Sequence, residues 1–387
     1  MTYILPIGPQ HLALKEPEHF KFEVKGEEIV NVDIRLGYAH RGIERALQDR
    51  SYFHDIYLIE RICGICNIAH SACYCQTIEQ LAGVAAPERA HYIRSILLEL
   101  ERIHSHLLWL GVAAHEIGFD TIFMLTWRDR EKIMDIREMI SGGRVHSATN
   151  TIGGVRKDIK PSQVPKIIGA LEEIEKATEH YSKVFTSDRT ILARCEGVGV
   201  LPKRAAIELC SVGPTARASG VKVDIRKDDP YAAYGEIPFE VIVDEGGDVL
   251  ARVVVRIKEI FESIRIIREA IRSLPKGPIR ERIDPRIATN EVVGRVEAPR
   301  GELFYYAMSN GTEKPERVRI RTPTYANVPS WQEMFKGCTI AEIPIVMASI
   351  DPCFGCEDRV SIVDLDRGET HHILKEEMRR WKSLRFC

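Results

Sequence analysis

The sequence predicts a mainly α chain with small α+β ends: a core bundle of long helices, with short β-sheets near the N- and C-termini. Three observations predict it. Apolar residues recur at helical spacing through the middle, strict alternation is confined to the first part, and β-branched, aromatic and proline-punctuated stretches return near the end. No internal repeat, low-complexity tract or clear linker divides the chain. One α-rich domain with small mixed ends is therefore expected.

The first element is a hairpin. In "FKFEVKGEEIVNVDIRL" the alternation places Phe20, Phe22 and Val24 before the polar "KGEE", and Val30, Val32 and Ile34 after it. From Arg41 to about Gly142 the spacing turns helical, and Pro87 with Glu88 opens the long segment "ERAHYIRSILLELERIHSHLLWLGVAAHEIG". A second long helix follows in "TIFMLTWRDREKIMDIREMI". The glycine-rich "SGGRVHSATNTIGGVRKDIKP" breaks the pattern before "SQVPKIIGALEEIEKATEHYSKVF" resumes it, and "EGGDVLARVVVRIKEIFESIRIIREAI" gives a further helix capped by Asp248. From "VGRVEAPRGELFYYAM" through "ERVRIRTPTYANV" the texture is that of short strands and loops.

With 387 residues, 44% hydrophobic and 28% charged, the chain can bury a substantial core. A formal charge of −2 without basic runs excludes a nucleic-acid partner. No apolar stretch is long enough to span a bilayer and "MTYILPIGPQ" lacks signal-peptide character, which predicts a soluble, intracellular protein. The ten cysteines are not spaced like a small secreted scaffold, so reduced thiols and metal thiolates are expected over disulfides.

Two Cys-x-x-Cys pairs stand out, Cys63 and Cys66 in "ERICGICNIAH" and Cys353 and Cys356 in "DPCFGCEDR". A zinc ribbon spaces its pairs ~15–20 residues apart. Here they lie at opposite ends of the sequence, and if they meet they do so across the core. Four thiolates suit zinc, an iron–sulfur cluster or a late transition metal such as nickel, and softness alone does not choose. His70, on the helical face of Cys66, can donate a ring N–H to a thiolate sulfur, and an ordinary core histidine is the alternative.

"RICGICNIAH" (Arg61–His70), "EAPRGEL" (Glu297–Leu303) and "DPCFGC" (Asp351–Cys356) together resemble signatures of the large, catalytic subunit of nickel–iron (NiFe) hydrogenases. "IGPQHLALKEPEHF", "RAHYIRSILLELERIHSHLLWLG" and "TIGGVRKDI" are similar to the energy-converting, membrane-associated group of the methanogen type, relatives of the quinone-site subunit of respiratory complex I. The resemblance covers essentially the whole chain. It implies nickel held by Cys63, Cys66, Cys353 and Cys356, with Cys66 and Cys356 bridging to an iron that carries CO and cyanide, and heterolytic splitting of H2 in which a terminal thiolate takes the proton.

The same resemblance assigns Arg300 to a position over the metals, Asp351 beside it, and Glu16 to proton transfer with the terminal Cys353, with Glu18 as the competing carboxylate. His11 matches a histidine that complex I relatives use near quinone, but "HLALKE" replaces the expected continuation, which argues against a quinone site. Cys73, Cys75, Cys195, Cys210, Cys338 and Cys387 match no family ligand.

Partners implied are a small subunit with a 4Fe–4S cluster, ferredoxin reached through it, integral-membrane ion-translocating subunits, and a maturation peptidase with nickel chaperones. The expected location is cytoplasmic, peripheral on the inner face of the membrane. "VSIVDLDRGETHHILKEEMRRWKSLRFC" resembles an extension removed once nickel is inserted, which implies a single domain over residues 1–359, a C-terminal extension over 360–387 and cleavage after Arg359. Many relatives have a histidine there that helps bind a further ion such as magnesium, and arginine cannot ligate it. His371 and His372 could hold metal transiently, or do nothing. Two other readings remain open, a complex I-like electron-transfer module without H2 chemistry and a zinc-closed scaffold.

Overall fold

The computed structural model describes residues 1–356, together with the backbone of two short antiparallel strands, Ile362–Asp364 and Glu369–His371. Strands β1 (Thr2–Ile7), β2 (His19–Lys25) and β3 (Glu28–Arg35) form an antiparallel sheet in that order. Alternation in β2 buries Phe20, Phe22 and Val24. The Phe20 ring meets Trp331 and the Phe22 ring meets Phe335 edge-on, with centroids 5.1 and 5.0 Å apart.

The hairpin forms where alternation predicted it, but its second strand is not a simple repeat. The ladder pairs Val24 with Ile29 and Glu23 with Asn31, leaving Val30 as the extra residue of a bulge. That extra residue shifts the phase, so Ile29 and Val32 point inward while Val30 is 41% exposed.

Six helices then carry the centre of the molecule: α1 (Tyr52–Glu60), α2 (Asn67–Ala82), α3 (Glu88–Ile117), α4 (Asp120–Ser141), α5 (Val164–Ser187) and α6 (Val249–Arg272). Helix α3 is the axis. It is buried nearly all round and packs on α4 and α6, while α6 also packs on α5. Its ends follow from the sequence: Pro87 stands at the N-cap, where a missing N–H costs nothing, and Gly118 takes φ 92° past the C-terminus. Asp248 caps α6, its carboxylate accepting N–H bonds from Ala251 at 2.7 Å and Gly197 at 2.8 Å.

A second antiparallel sheet, β4 (Glu291–Ala298), β5 (Gly301–Ser309) and β6 (Pro315–Arg321), lies against α2. The stretch after β6 departs from the expected strand-and-loop texture. Pro323 opens a helical turn, Pro323–Asn327, because its fixed φ suits a first helical position. Cys73, Cys75, Cys195 and Cys338 are buried and Cys210 is exposed.

Candidate metal centre

Cys63 and Cys66 lie in the connection between α1 and α2, with Cys66 at the N-cap of α2. Cys66 provides no side-chain cap there. Glu101 of α3 does so instead, its buried carboxylate accepting the N–H groups of Ile68 at 2.7 Å and Ala69 at 2.8 Å. Cys353 directly precedes a single tight turn, Phe354–Cys356, and Cys356 ends it. That turn is tied to the Pro323 helix, since Cys353 N–H donates to Thr324 Oγ1 at 3.2 Å and Thr322 Oγ1 donates to Cys356 O at 3.1 Å.

The two loops bring four buried sulfurs together. Cys353 Sγ lies 3.4 Å from both Cys63 Sγ and Cys356 Sγ, and Cys66 Sγ lies 4.0 Å from Cys356 Sγ. Metal–thiolate bonds of ~2.3 Å in a tetrahedron separate sulfurs by ~3.7 Å, which these distances bracket. The sulfurs of Cys63, Cys66 and Cys356 all lie within 4.8 Å of one another, a set that fits a thiolate-ligated ion, and Cys353 Sγ stands at contact distance from two of them. Backbone N–H groups of Ile65 and Cys66 reach Cys63 Sγ at 3.3 Å, and hydrogen bonds from Cys353, Cys356 and Cys66 hold the Cys63 thiol well below its ordinary pKa.

His70 is fully buried on α2, with Nε2 3.7 Å from Cys356 Sγ and Nδ1 2.6 Å from the Tyr305 hydroxyl. Helical spacing put it on the face of Cys66, yet the sulfur it meets belongs to the other pair. Burial pushes its pKa down to about 4, so the ring is neutral. A Tyr305 hydroxyl that donates to Nδ1 would leave the single ring proton on Nε2, facing Cys356 Sγ.

Arg300 and Asp351 form a buried pair beside the sulfurs. Arg300 Nη2 donates to Asp351 Oδ1 at 2.8 Å and Nε to the Asp351 carbonyl at 2.6 Å. The fork is thus split between a carboxylate and a backbone oxygen. Burial opposes the guanidinium charge, but Asp351 and then the sulfurs of Cys353, Cys66 and Cys63 hold its pKa well above the ordinary value. Burial likewise raises the Asp351 carboxyl, to about 6, against the pull of Arg300.

A cavity of about 740 Å³ opens onto this group, walled by Cys63, Cys353, Arg300, Asp351 and Glu16 but not by Cys66 or Cys356. Glu16 is exposed at its edge, where Oε2 accepts the Gly355 N–H at 3.0 Å. Glu18 is buried and does not line the cavity. His11 is exposed and turned onto its own loop, its Nδ1 accepting the Ala13 N–H at 3.2 Å. Arg359, His372 and Cys387 lie outside the described residues, as does the side chain of His371.

Sequence reasoning missed Arg41, Glu101, Tyr305 and Thr324. Alternation in "GELFYYAM" was a usable signal for Tyr305, which points inward with Leu303 and Ala307. The others act on backbone groups far away in sequence, which no local pattern announces.

Two cysteine pairs from distant parts of the sequence thus meet at one buried site beside a helical core, and comparison with known proteins gives the family. The model described as "Respiratory-chain NADH dehydrogenase, 49 Kd subunit" matches residues 116–288 and 281–359, and the model described as "Nickel-dependent hydrogenase" matches residues 41–162. The chain belongs to this oxidoreductase family, in which large subunits of membrane-bound NiFe hydrogenases stand beside the 49 kDa subunit of complex I.

It is 42% identical to the membrane-bound hydrogenase subunit alpha of Pyrococcus furiosus, over 93% of this chain and 88% of that one. It is 40% identical to the carbon monoxide-induced hydrogenase of Rhodospirillum rubrum, over 92% and 99%. Among solved structures, a chain of the membrane-bound sulfane sulfur reductase, an archaeal respiratory membrane complex, superposes with a TM-score of 0.88 at 32% identity, covering 92% of this chain and 98% of that one. No described helix is long and apolar enough to cross a membrane.

Proposed function

We propose that this chain is the catalytic subunit of a membrane-associated, energy-converting NiFe hydrogenase. It would interconvert H2 with protons and with electrons that reach ferredoxin through a small subunit carrying a 4Fe–4S cluster, coupled to ion translocation by integral-membrane subunits. The observation that supports this most is the asymmetry of the cage: Cys63 and Cys353 wall the cavity while Cys66 and Cys356 do not. A structural zinc site is closed on all sides, whereas a reactive metal keeps one side open.

Cys63, Cys66, Cys353 and Cys356 would hold nickel, with Cys66 and Cys356 also holding iron, and the bound centre supplies the redox chemistry of H2. The rest falls to the chain. Cys353, at the cavity wall, holds the proton, and Glu16 passes it between the Cys353 loop and solvent. Arg300, fixed by Asp351, holds its charge over the open side and steadies negative charge there. His70 donates to Cys356 and so tempers its basicity.

The tail belongs to the same reading. Residues 360–387 would be removed after Arg359 by a maturation peptidase once nickel chaperones have loaded the site, with Arg359 ligating no magnesium. Mass spectrometry of nickel-loaded enzyme tests this; an intact Cys387 there would rule it out.

The test of activity is exchange between D2 and water by the assembled complex. Cys353→Ser should abolish it, and Glu16→Gln should keep the metals while slowing exchange by ~10²-fold, the usual contribution of a positioned proton carrier. Normal exchange in Glu16→Gln would remove Glu16 from the path.

The cavity's size favours one further reading. About 740 Å³ far exceeds what H2 needs and suits an organic or sulfur-compound acceptor, as in a complex I-like or sulfur-reducing subunit. Acceptor reduction that persists in Cys353→Ser, without D2 exchange in the native complex, would favour it.

A further inference from the structure

We infer that Arg41 is the positioning residue that locks the two cysteine loops into one cage, with Glu16 as its counterpart on the other side of Gly355. The inference rests on the four-thiolate reading of the site.

Arg41 reaches both loops at once. Its Nη1 donates to the Arg61 carbonyl at 2.9 Å, and its Nη2 donates to the Ile62 carbonyl at 2.8 Å and the Gly355 carbonyl at 2.5 Å. Ile62 directly precedes Cys63 and Gly355 directly precedes Cys356. One guanidinium nitrogen, with one hydrogen for each acceptor, therefore spans two segments separated by more than 290 residues of chain. Glu16 holds the same glycine from its other end, accepting the Gly355 N–H at 3.0 Å. Gly355 is thus held from both sides, a cation on its carbonyl oxygen and an anion on its amide N–H, so the two successive peptide units that meet at its Cα are both fixed.

Glu16, Ile62 and Arg41 all pack closely around Gly355. A Cβ there would meet Glu16 Oε1 at 3.3 Å, the Ile62 carbonyl oxygen at 3.5 Å and Arg41 Nη2 at 3.9 Å. The need for such a tie is electrostatic. As the thiols lose protons to bind metal, the sulfurs of opposite loops repel, and the other fixings described above hold each loop to its own surroundings: Glu101 to the first pair, Thr322 and Thr324 to the second. Arg41 adds positive charge and a rigid fork where the loops meet. Lysine would bring the charge on a flexible stem without the fork.

Cadmium titration of the metal-free full chain tests this without activity. Thiolate-to-cadmium charge-transfer absorption grows with the number of sulfurs bound. Native protein should give the four-thiolate band, and Glu16→Gln, which keeps an acceptor oxygen, should match it. Arg41→Ala should give about half that absorbance per cadmium, the two-thiolate value, with at least ~10-fold weaker binding. Arg41→Lys should fall between the two while keeping the native circular dichroism, so it decides the matter if Arg41→Ala does not fold. A native-like band and affinity in a folded Arg41 variant would overturn the inference and leave the four-thiolate reading intact. Fewer than four thiolates in the native chain would overturn both.

Discussion

Glu101 illustrates how single side chains hold the centre. Its carboxylate terminates the backbone of α2 beside Cys66 and faces the Arg137 guanidinium at 3.9 Å. Removing it leaves two buried N–H groups without their acceptor, while Arg137 keeps its hydrogen bonds to Asn67 and Val145, so Glu101→Ala should cost ~2–4 kcal/mol in urea unfolding of the metal-free chain, and Glu101→Gln distinctly less. A second buried acid should make stability depend on pH. Burial raises Asp55 from the ordinary 3.8 to about 8, with Tyr74 and then Arg50 opposing the shift. The folded state then binds a proton that the unfolded state releases above about pH 4, so stability should fall as pH rises from ~4 to ~8. Urea midpoints compared at pH 5 and pH 8 should differ less in Asp55→Asn; an unchanged difference would rule out Asp55 as the cause. At this scale the cysteines, Arg300 and Asp351 were legible because short motifs carry them. Arg41 and Glu101 were not, since their partners are carbonyls and amides that come near only when the chain is folded.

Among the elements, ends and phases decide what could be read. The long helices announced themselves because α3 and α6 carry their own signals, Pro87 and Gly118 for one and Asp248 for the other. Asp248→Ala should destabilise the chain by ~1–2 kcal/mol, since the carboxylate satisfies both an α6 amide and the Gly197 N–H; a shift below a few tenths of a kcal/mol in urea unfolding would show that water replaces it. Gly118→Ala should cost ~1 kcal/mol from its positive φ, because nothing lies within 4 Å of an added Cβ to add a clash. The strands were harder. Alternation found β2, but the bulge at Val30 reset the phase of β3, and a bulge inserts one residue without a composition that marks it. Strand β1 went unread because its register comes from pairing with β2 and its outer face is exposed, with Ile4 at 54%.

Over the whole molecule, the notable design is a cysteine cluster whose halves come from opposite ends of the chain, so the site is completed only by folding of everything between. A belt of buried charge along α3 and α6 helps fix that arrangement: Glu99 meets Arg226 at 3.1 Å, and Arg217 joins Glu259 at 2.8 Å and Glu297 at 2.7 Å. Such pairs add little net stability, but breaking one is costly, which penalises any packing that separates them. The three-motif order made the family and helical core legible, whereas the cavity that distinguishes an open metal site from a closed one was not, because its walls come from loops distant in sequence. The open side of the cage is also what separates a hydrogenase from a zinc-closed scaffold. Metal analysis with infrared spectroscopy of the mature, assembled complex decides between them: stoichiometric nickel and iron with CO and cyanide bands is the predicted result, and zinc in the cage without those bands would contradict it.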